Sequence, residues 1–194
     1  MTTTPPASRQ RILDAALSLM SEHGVAGTSM RMLAGAADLN VATLYHYFPS
    51  KDDLLHAVLA ERGYLQRLRT ESPPGSVVGR GRAPATRLEK LVQWLWWASC
   101  QEEEVWRLLV GESLRGDASA RAEAMALVDG VDVAVAVWVA DVVPELAGRS
   151  EQVGRLVRAL LFSLIVEHLA LGPDDDRATA RIRDLVEVVL PPAR

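Results

Sequence analysis

Thr28–Lys51, TSMRMLAGAADLNVATLYHYFPSK, is the stretch whose reading decides the fold. It divides into two short helices around an Asp38-Leu39-Asn40 break and stops sharply at Pro49-Ser50. Ser29 is placed to cap the first helix and Asn40 the second, because a short side-chain oxygen there accepts from the helix's unpaired N–H groups. At about 100° per residue, Leu44 and Phe48 fall on one side of a helix predicted over residues 41–48. Ala42, Thr43 and His46 point the other way, with Tyr45 and Tyr47 on opposite flanks. A face of small and hydrogen-bonding side chains suits a groove better than a packed interior.

The flanks extend the helical reading in both directions. Ser8 is a good N-cap, and Ile12, Ala15, Ala16, Leu19 and Met20 follow at the spacing of an amphipathic helix. His23-Gly24 ends that helix, the glycine suiting a left-handed cap. A fourth helix starts at Ser50, its first turn carrying Asp52 and Asp53 where the helix dipole favours them, and is predicted to run to about Thr70. The Pro-, Gly- and Ser-rich segment 71–85, ESPPGSVVGRGRAPA, reads as a linker. Longer helices are predicted after it, over residues 84–100, 102–114, 117–143, 150–171 and 174–190. Pro173 followed by Asp174, Asp175 and Asp176 marks the start of the last one. One segment conflicts: Val131, Val133, Val135, Val137 and Val139 alternate as a β-strand would. No partner strand is in sight, so the segment is read as helix and the fold as all-α.

Composition bounds the rest. The 194 residues are 49% hydrophobic and 24% charged, enough for one substantial core or one core plus a small module. Cys100 is the single cysteine, which excludes an intramolecular disulfide and points to a reducing compartment. The opening MTTTPPAS lacks the charged-then-apolar texture of a leader, and no segment offers the ~20 apolar residues of a membrane span; a cytoplasmic protein with no membrane partner is expected. The net charge of −4 looks wrong for a nucleic-acid binder until it is divided. Residues 1–70 carry seven Arg/Lys against six Asp/Glu, and the remainder carries fourteen against nineteen. Charge alone does not decide the matter; local placement does.

Local placement favours a nucleic acid. Arg31 lies on the first helix of the opening stretch, two tyrosines and a histidine on the second, and Ser50-Lys51 opens a helix whose N-terminus suits a phosphate. Residues 8–68 resemble the DNA-binding domain of the tetracycline-repressor (TetR) family of transcriptional regulators. The resemblance rests on Arg11-Ile12-Leu13-Asp14-Ala15-Ala16, Gly24, Thr28-Ser29-Met30-Arg31-Met32-Leu33-Ala34, and above all Ala42-Thr43-Leu44-Tyr45-His46-Tyr47-Phe48-Pro49-Ser50-Lys51-Asp52-Asp53-Leu54. It covers about a third of the chain. It implies an N-terminal three-helix head with a helix-turn-helix at about 29–48, followed by a helical ligand-binding and dimerisation domain at 84–190. By the resemblance, Thr43, Tyr45, Tyr47 and Lys51 contact phosphates, and Arg31, Val41, Ala42 and His46 lie nearest the base edges. For Tyr47, packing beneath the helix is an equal alternative. Four positions depart from the family pattern: Asp38 where glycine is usual, Met32 where an acidic residue completes a capping box with Ser29, and apolar Val41 and Ala42.

The second domain carries fewer signals. Trp94, Trp97, Trp106 and Trp138, with Trp96 and Phe162, either pack an ordinary core or line an apolar cavity; the resemblance implies a small apolar or amphipathic effector, with Trp94, Trp97, Trp106, Trp138 and Phe162 as candidate contacts. Leu156, Leu160, Leu164, Ile165, His168 and Leu171 form one stripe, and Ile182, Leu185, Val186 and Val189 another. They cover a monomeric core or, as the resemblance implies, pair two copies through the last two long helices, about 150–171 and 174–190. A single recognition helix reads few base pairs, which also favours a homodimer on a palindromic operator. His23, His46, His56 and His168 show no metal spacing, no catalytic set assembles, and no cofactor is implied. The expected function is a DNA-binding repressor released by an effector. The alternatives are an activator or effector-independent regulator of the same fold, or a helical small-molecule-binding protein or enzyme.

Overall fold

A computed structural model describes residues 6–62, 73–75, 79 and 81–191 of the chain. Among these residues there is no β-strand, and nine α-helices follow in order. They are α1 (Pro6–Gly27), α2 (Met30–Ala36), α3 (Val41–Tyr47), α4 (Lys51–Arg62), α5 (Pro84–Cys100), α6 (Glu103–Arg115), α7 (Ala118–Val142), α8 (Ser150–Leu171) and α9 (Asp175–Val189). A 3-10 turn, Pro144–Arg149, joins α7 to α8. The first helix begins at Pro6, two residues before the cap predicted at Ser8; proline is tolerated in a first turn because its missing N–H has no intrahelical partner there. The predicted continuation of α4 over 63–70 and most of the predicted linker 71–85 lie outside the described residues.

The chain forms two compact units, one of residues up to Gln66 together with Glu104–Ala126, the other of Arg67–Glu103 and Leu127–Arg194. This division differs from the boundaries 8–68 and 84–190 read from sequence, because α6 and the start of α7 belong to the first unit. Periodicity along one helix does not say which core its apolar face joins.

In the first unit α1 packs against α4 and α2, and α2 against α3. Ile12, Leu13, Ala16 and Met20 of α1 meet a core that includes Leu33, Leu44, Phe48, Leu54, Leu55 and Val58, all of them buried. The seven-residue helices α2 and α3 are far below the ~12–15 residues needed for stability alone in water. Tertiary burial therefore holds them, with Leu33, Leu44 and Phe48 each contributing about 1.5–3 kcal/mol.

In the second unit α9 packs on α5 and α8, and α8 on α5. The pairs Gly154 with Ala136 and Arg158 with Asp132 set α7 and α8 antiparallel. A β-carbon on Gly154 would lie 3.1 Å from the Ala136 nitrogen, so glycine is what lets the two backbones meet. Two helix C-termini are finished by arginines from elsewhere in this unit: Arg87 donates to the Val142 carbonyl at 2.7 Å, and Arg149 to that of Val189. Asp174 caps α9 by accepting from the Arg177 N–H at 2.9 Å.

The alternating valines are helical, inside α7. At about 100° per residue, Val131, Val135 and Val139 share one face and Val133 and Val137 the opposite one. The first three are buried and the other two exposed.

The stripes named on the last two helices are divided between this unit's own core and its surface, Leu156 and Leu171 of the α8 stripe being exposed. Leu164 and Ile165 of α8, and Ile182, Val186 and Val189 of α9, are buried in the single chain. The outward apolar face of α8 starts from Leu156 of that stripe and continues through Ala159, Phe162 and Val166.

Candidate nucleic-acid interface

Local chemistry positions α3. Asn40 Oδ1 accepts from the Thr43 N–H at 2.7 Å, and Ser29 Oγ from the Met32 N–H at 3.2 Å, so both short helices have the N-caps expected of them. Between the helices, Asp38 adopts φ 54°, the left-handed conformation for which glycine is the usual choice and which aspartate tolerates best among charged residues. With Leu44 and Phe48 pinned below, Ala42, Tyr45 and His46 face solvent, and Arg31 is exposed on α2. Val41 and Thr43 are half-buried at the edges of that face.

Tyr47 and Lys51 are placed otherwise than a free contact surface requires. Tyr47 is half-buried, its ring stacked on Phe48 with centroids 6.5 Å apart, and its hydroxyl is buried without a hydrogen-bond partner. Of the two readings weighed for it, packing beneath the helix matches its position in the free protein. The Lys51 ammonium donates to the main-chain carbonyls of Val25 at 2.8 Å and Thr28 at 3.0 Å. Two of its three N–H donors are therefore spent on the segment Val25–Thr28, which follows the Gly24 kink at the end of α1, and one is left.

That segment is unusually well tied. Gly24 sits at φ 70°, ψ 165°, a conformation essentially reserved for glycine. The buried Thr28 hydroxyl donates to the Gly24 carbonyl at 2.8 Å. The carboxylate of Glu112, on α6, accepts from the Val25 N–H at 3.0 Å and from Arg115 at 2.8 Å. Glu112 is 6% exposed and was missed in the sequence. The available signal was its place in the stripe Val105, Leu108, Leu109, Glu112, where a lone carboxylate on an apolar face calls for a buried partner. At the other end of this unit, Arg9 pairs with Glu61 and lies over the Phe48 ring, 5.2 Å from its centroid.

The five residues proposed to line an effector cavity are divided between the two units. Trp106 is buried within the first unit. In the second, Trp97 is 60% and Phe162 50% exposed, which removes both from an enclosed wall. Trp94 and Trp138 do meet, edge to face with centroids 5.6 Å apart, and Trp96 meets His168 in the same way at 5.8 Å. A cavity lined by Trp96, Leu164, His168 and Arg177 has a volume of about 10 Å³, room for one water rather than an effector. Among the described residues no three His, Cys, Asp or Glu side chains gather as a metal would require, and no helix is long and apolar enough to cross a membrane.

Comparison with known proteins matches this architecture. The sequence model described as "Bacterial regulatory proteins, tetR family" matches residues 12–58. The chain is 30% identical over 160 residues to the uncharacterized HTH-type transcriptional regulator in the dhlA 5′ region of Xanthobacter autotrophicus, covering 74% of this chain and 78% of that one. It is 36% identical over 115 residues to the HTH-type transcriptional repressor KstR of Rhodococcus jostii, a match covering 59% of this chain and 51% of KstR, about half its length. Among solved structures, Salmonella enterica GusR superposes with a TM-score of 0.68 at 21% identity, over 97% of this chain and 98% of that one, a likeness of fold. The matched residues 12–58 contain the whole of the capped α2–α3 pair and the Lys51 anchor, and the longer alignment carries the likeness into the second unit. The chain belongs to the tetR family of bacterial regulatory proteins.

Proposed function

We infer that the protein is a sequence-specific DNA-binding transcription regulator that acts as a homodimer in the cytoplasm and represses until a small effector releases it. The observation that carries the reading is the outward face of α3. Ala42, Tyr45 and His46 are exposed on a short, capped helix whose opposite side is pinned by Leu44 and Phe48. A helix so held enters a major groove as a rigid body. Ala42 and Val41 offer methyl contacts to thymine, His46 and Arg31 meet purine acceptors, and Thr43, Tyr45 and the remaining Lys51 N–H take phosphates. Tyr47 joins them if its ring turns outward on binding. Residues 8–68 form the DNA-binding head, and residues 84–190 serve effector binding and dimerisation.

The exposed face of α8, Leu156, Ala159, Phe162 and Val166, with Val188 on α9, is the surface through which two copies pair. Pairing brings two heads to half-sites roughly 34–36 Å apart. The edge-to-face pair Trp94 and Trp138 is the apolar element nearest to an effector wall, and the KstR likeness supports the reading as a regulator.

Selection of bound duplexes from random DNA tests the reading. A palindromic consensus is expected, with His46→Ala relaxing sequence preference and Lys51→Ala weakening binding evenly across sequences. Small molecules are then screened for release. Recovery of no enriched sequence at fixed, moderate salt would overturn it.

A further inference from the structure

Glu112 and Lys51 grip the same residue from opposite sides. Glu112 Oε1 accepts the Val25 N–H at 3.0 Å, and the Val25 carbonyl accepts from Lys51 Nζ at 2.8 Å. The same ammonium reaches the Thr28 carbonyl at 3.0 Å. The turn between is made by Gly24 at φ 70°, where an added β-carbon would lie 3.3 Å from Glu112 Oε1. Neither bond is a local one in sequence: Glu112 lies 87 residues from Val25, and Lys51 lies 26. A carboxylate this deeply buried is expensive unless its hydrogen bonds are made, and the bond to Val25 is one of the two that satisfy it.

We propose that Glu112 is a positioning residue for DNA contact, fixing the Val25 main chain and, through it, the direction in which Lys51 presents its last N–H. The proposal rests on the DNA-binding reading for its consequence and on the free protein for its cause. Val25 is held at both of its peptide groups, so losing the N–H bond frees the carbonyl that orients the ammonium. A displacement of α6 by about 1 Å carries the 3.0 Å bond beyond hydrogen-bonding range. Any event that moves α6 is thereby transmitted to a phosphate contact through one residue.

The test has two arms on the full chain. In the free protein, Glu112→Ala should speed hydrogen exchange at the Val25 amide and of the Lys51 ammonium, while Glu112→Gln, which keeps an acceptor oxygen, leaves both near wild type. Unchanged Lys51 exchange in Glu112→Ala overturns the coupling whether or not DNA is bound. With the duplex selected by the wild-type protein, Glu112→Ala should lower affinity about tenfold and shallow the salt dependence by about one phosphate contact per head. The same substitution made on a Lys51→Ala background should cost little more, because the contact it orients is already gone. Equal losses on both backgrounds overturn the proposal and leave DNA binding standing. If Glu112→Ala does not fold, Glu112→Asp, one methylene shorter, replaces it in both arms with the same criteria.

Discussion

Adding one methyl group at each of two glycines in the first unit should move stability in opposite directions. Gly24 lies at φ 70°, ψ 165°, so alanine there is strained by about 1–3 kcal/mol. Its β-carbon would also stand 3.3 Å from Glu112 Oε1 and 3.5 Å from the Arg115 guanidinium; the exposed arginine moves aside readily, the buried carboxylate less so. Against this, alanine narrows the unfolded ensemble, an offset of about 0.4–1 kcal/mol. The net loss for Gly24→Ala is about 1–2 kcal/mol, and at ~2–4 °C per kcal/mol for a chain of this size the Tm falls by about 2–8 °C. Gly35 lies inside α2 with nothing within 4 Å of an added β-carbon. Gly35→Ala therefore gains helix propensity of about 0.5–1 kcal/mol and raises the Tm by about 1–4 °C. Differential scanning calorimetry of the two variants at one buffer and concentration measures both. A Gly24→Ala protein melting at or above wild type would refute the reasoning, since no compensating contact is available to the new methyl.

Three further outcomes follow from other parts of the molecule. Phe162→Asp, at an exposed position on the outward face of α8, should shift the proposed dimer to monomer in sedimentation velocity with little change in helicity; a variant no less dimeric than wild type removes this face from the interface. Burial pushes the Cys100 thiol up to about 11, with Asp175 and Glu103 adding to the shift. Its neutral form is thus favoured in the folded state: the stabilisation is complete below the unfolded pKa of about 8.5 and lost as pH rises toward 11. Iodoacetamide at pH 8 should modify Cys100 far more slowly in the native than in the denatured protein, and equal rates would contradict the burial argument. The Arg181 guanidinium holds the Glu167 carboxyl below its ordinary value, with Ser163 and Arg177 contributing. That pairing supports the fold above the ordinary carboxylate range and fades as pH falls through the lowered pKa. Arg181→Ala should bring the Glu167 titration back up toward the ordinary carboxylate range in carboxyl-detected NMR; an unmoved titration would assign the shift elsewhere.

What could be read from the sequence was what depends on near neighbours. The Ser29 and Asn40 caps each act over three residues, and the Leu44–Phe48 anchor follows from one turn of helix. Asp38 at positive φ was legible because its residue type and position in a tight turn coincide. Contacts between distant residues were not legible. Nothing near Lys51 announces that carbonyls of Val25 and Thr28 occupy it, and nothing near Glu112 names Val25. The placement of the tryptophans was hidden for a related reason. Residue type gives the area an indole can bury but not which core receives it, so Trp106 went to the first unit and Trp97 to the surface. The α9 stripe was correctly found as apolar, but periodicity does not distinguish a face turned to its own core from one turned to a second chain.

The valine alternation in α7 has a consequence for what happens when that helix is lost. Residues 131–139, VDVAVAVWV, contain no glycine or proline and one charge. As a helix they separate into a buried trio and an exposed pair. Extended, all five valines turn to a single face, which is the pattern that stacks into intermolecular sheets. Melting of α7 therefore does more than remove a helix: it converts a divided surface into a continuous adhesive edge. Heating should accordingly end in aggregation rather than in a reversibly unfolded chain, with the rate set by how often this one helix opens.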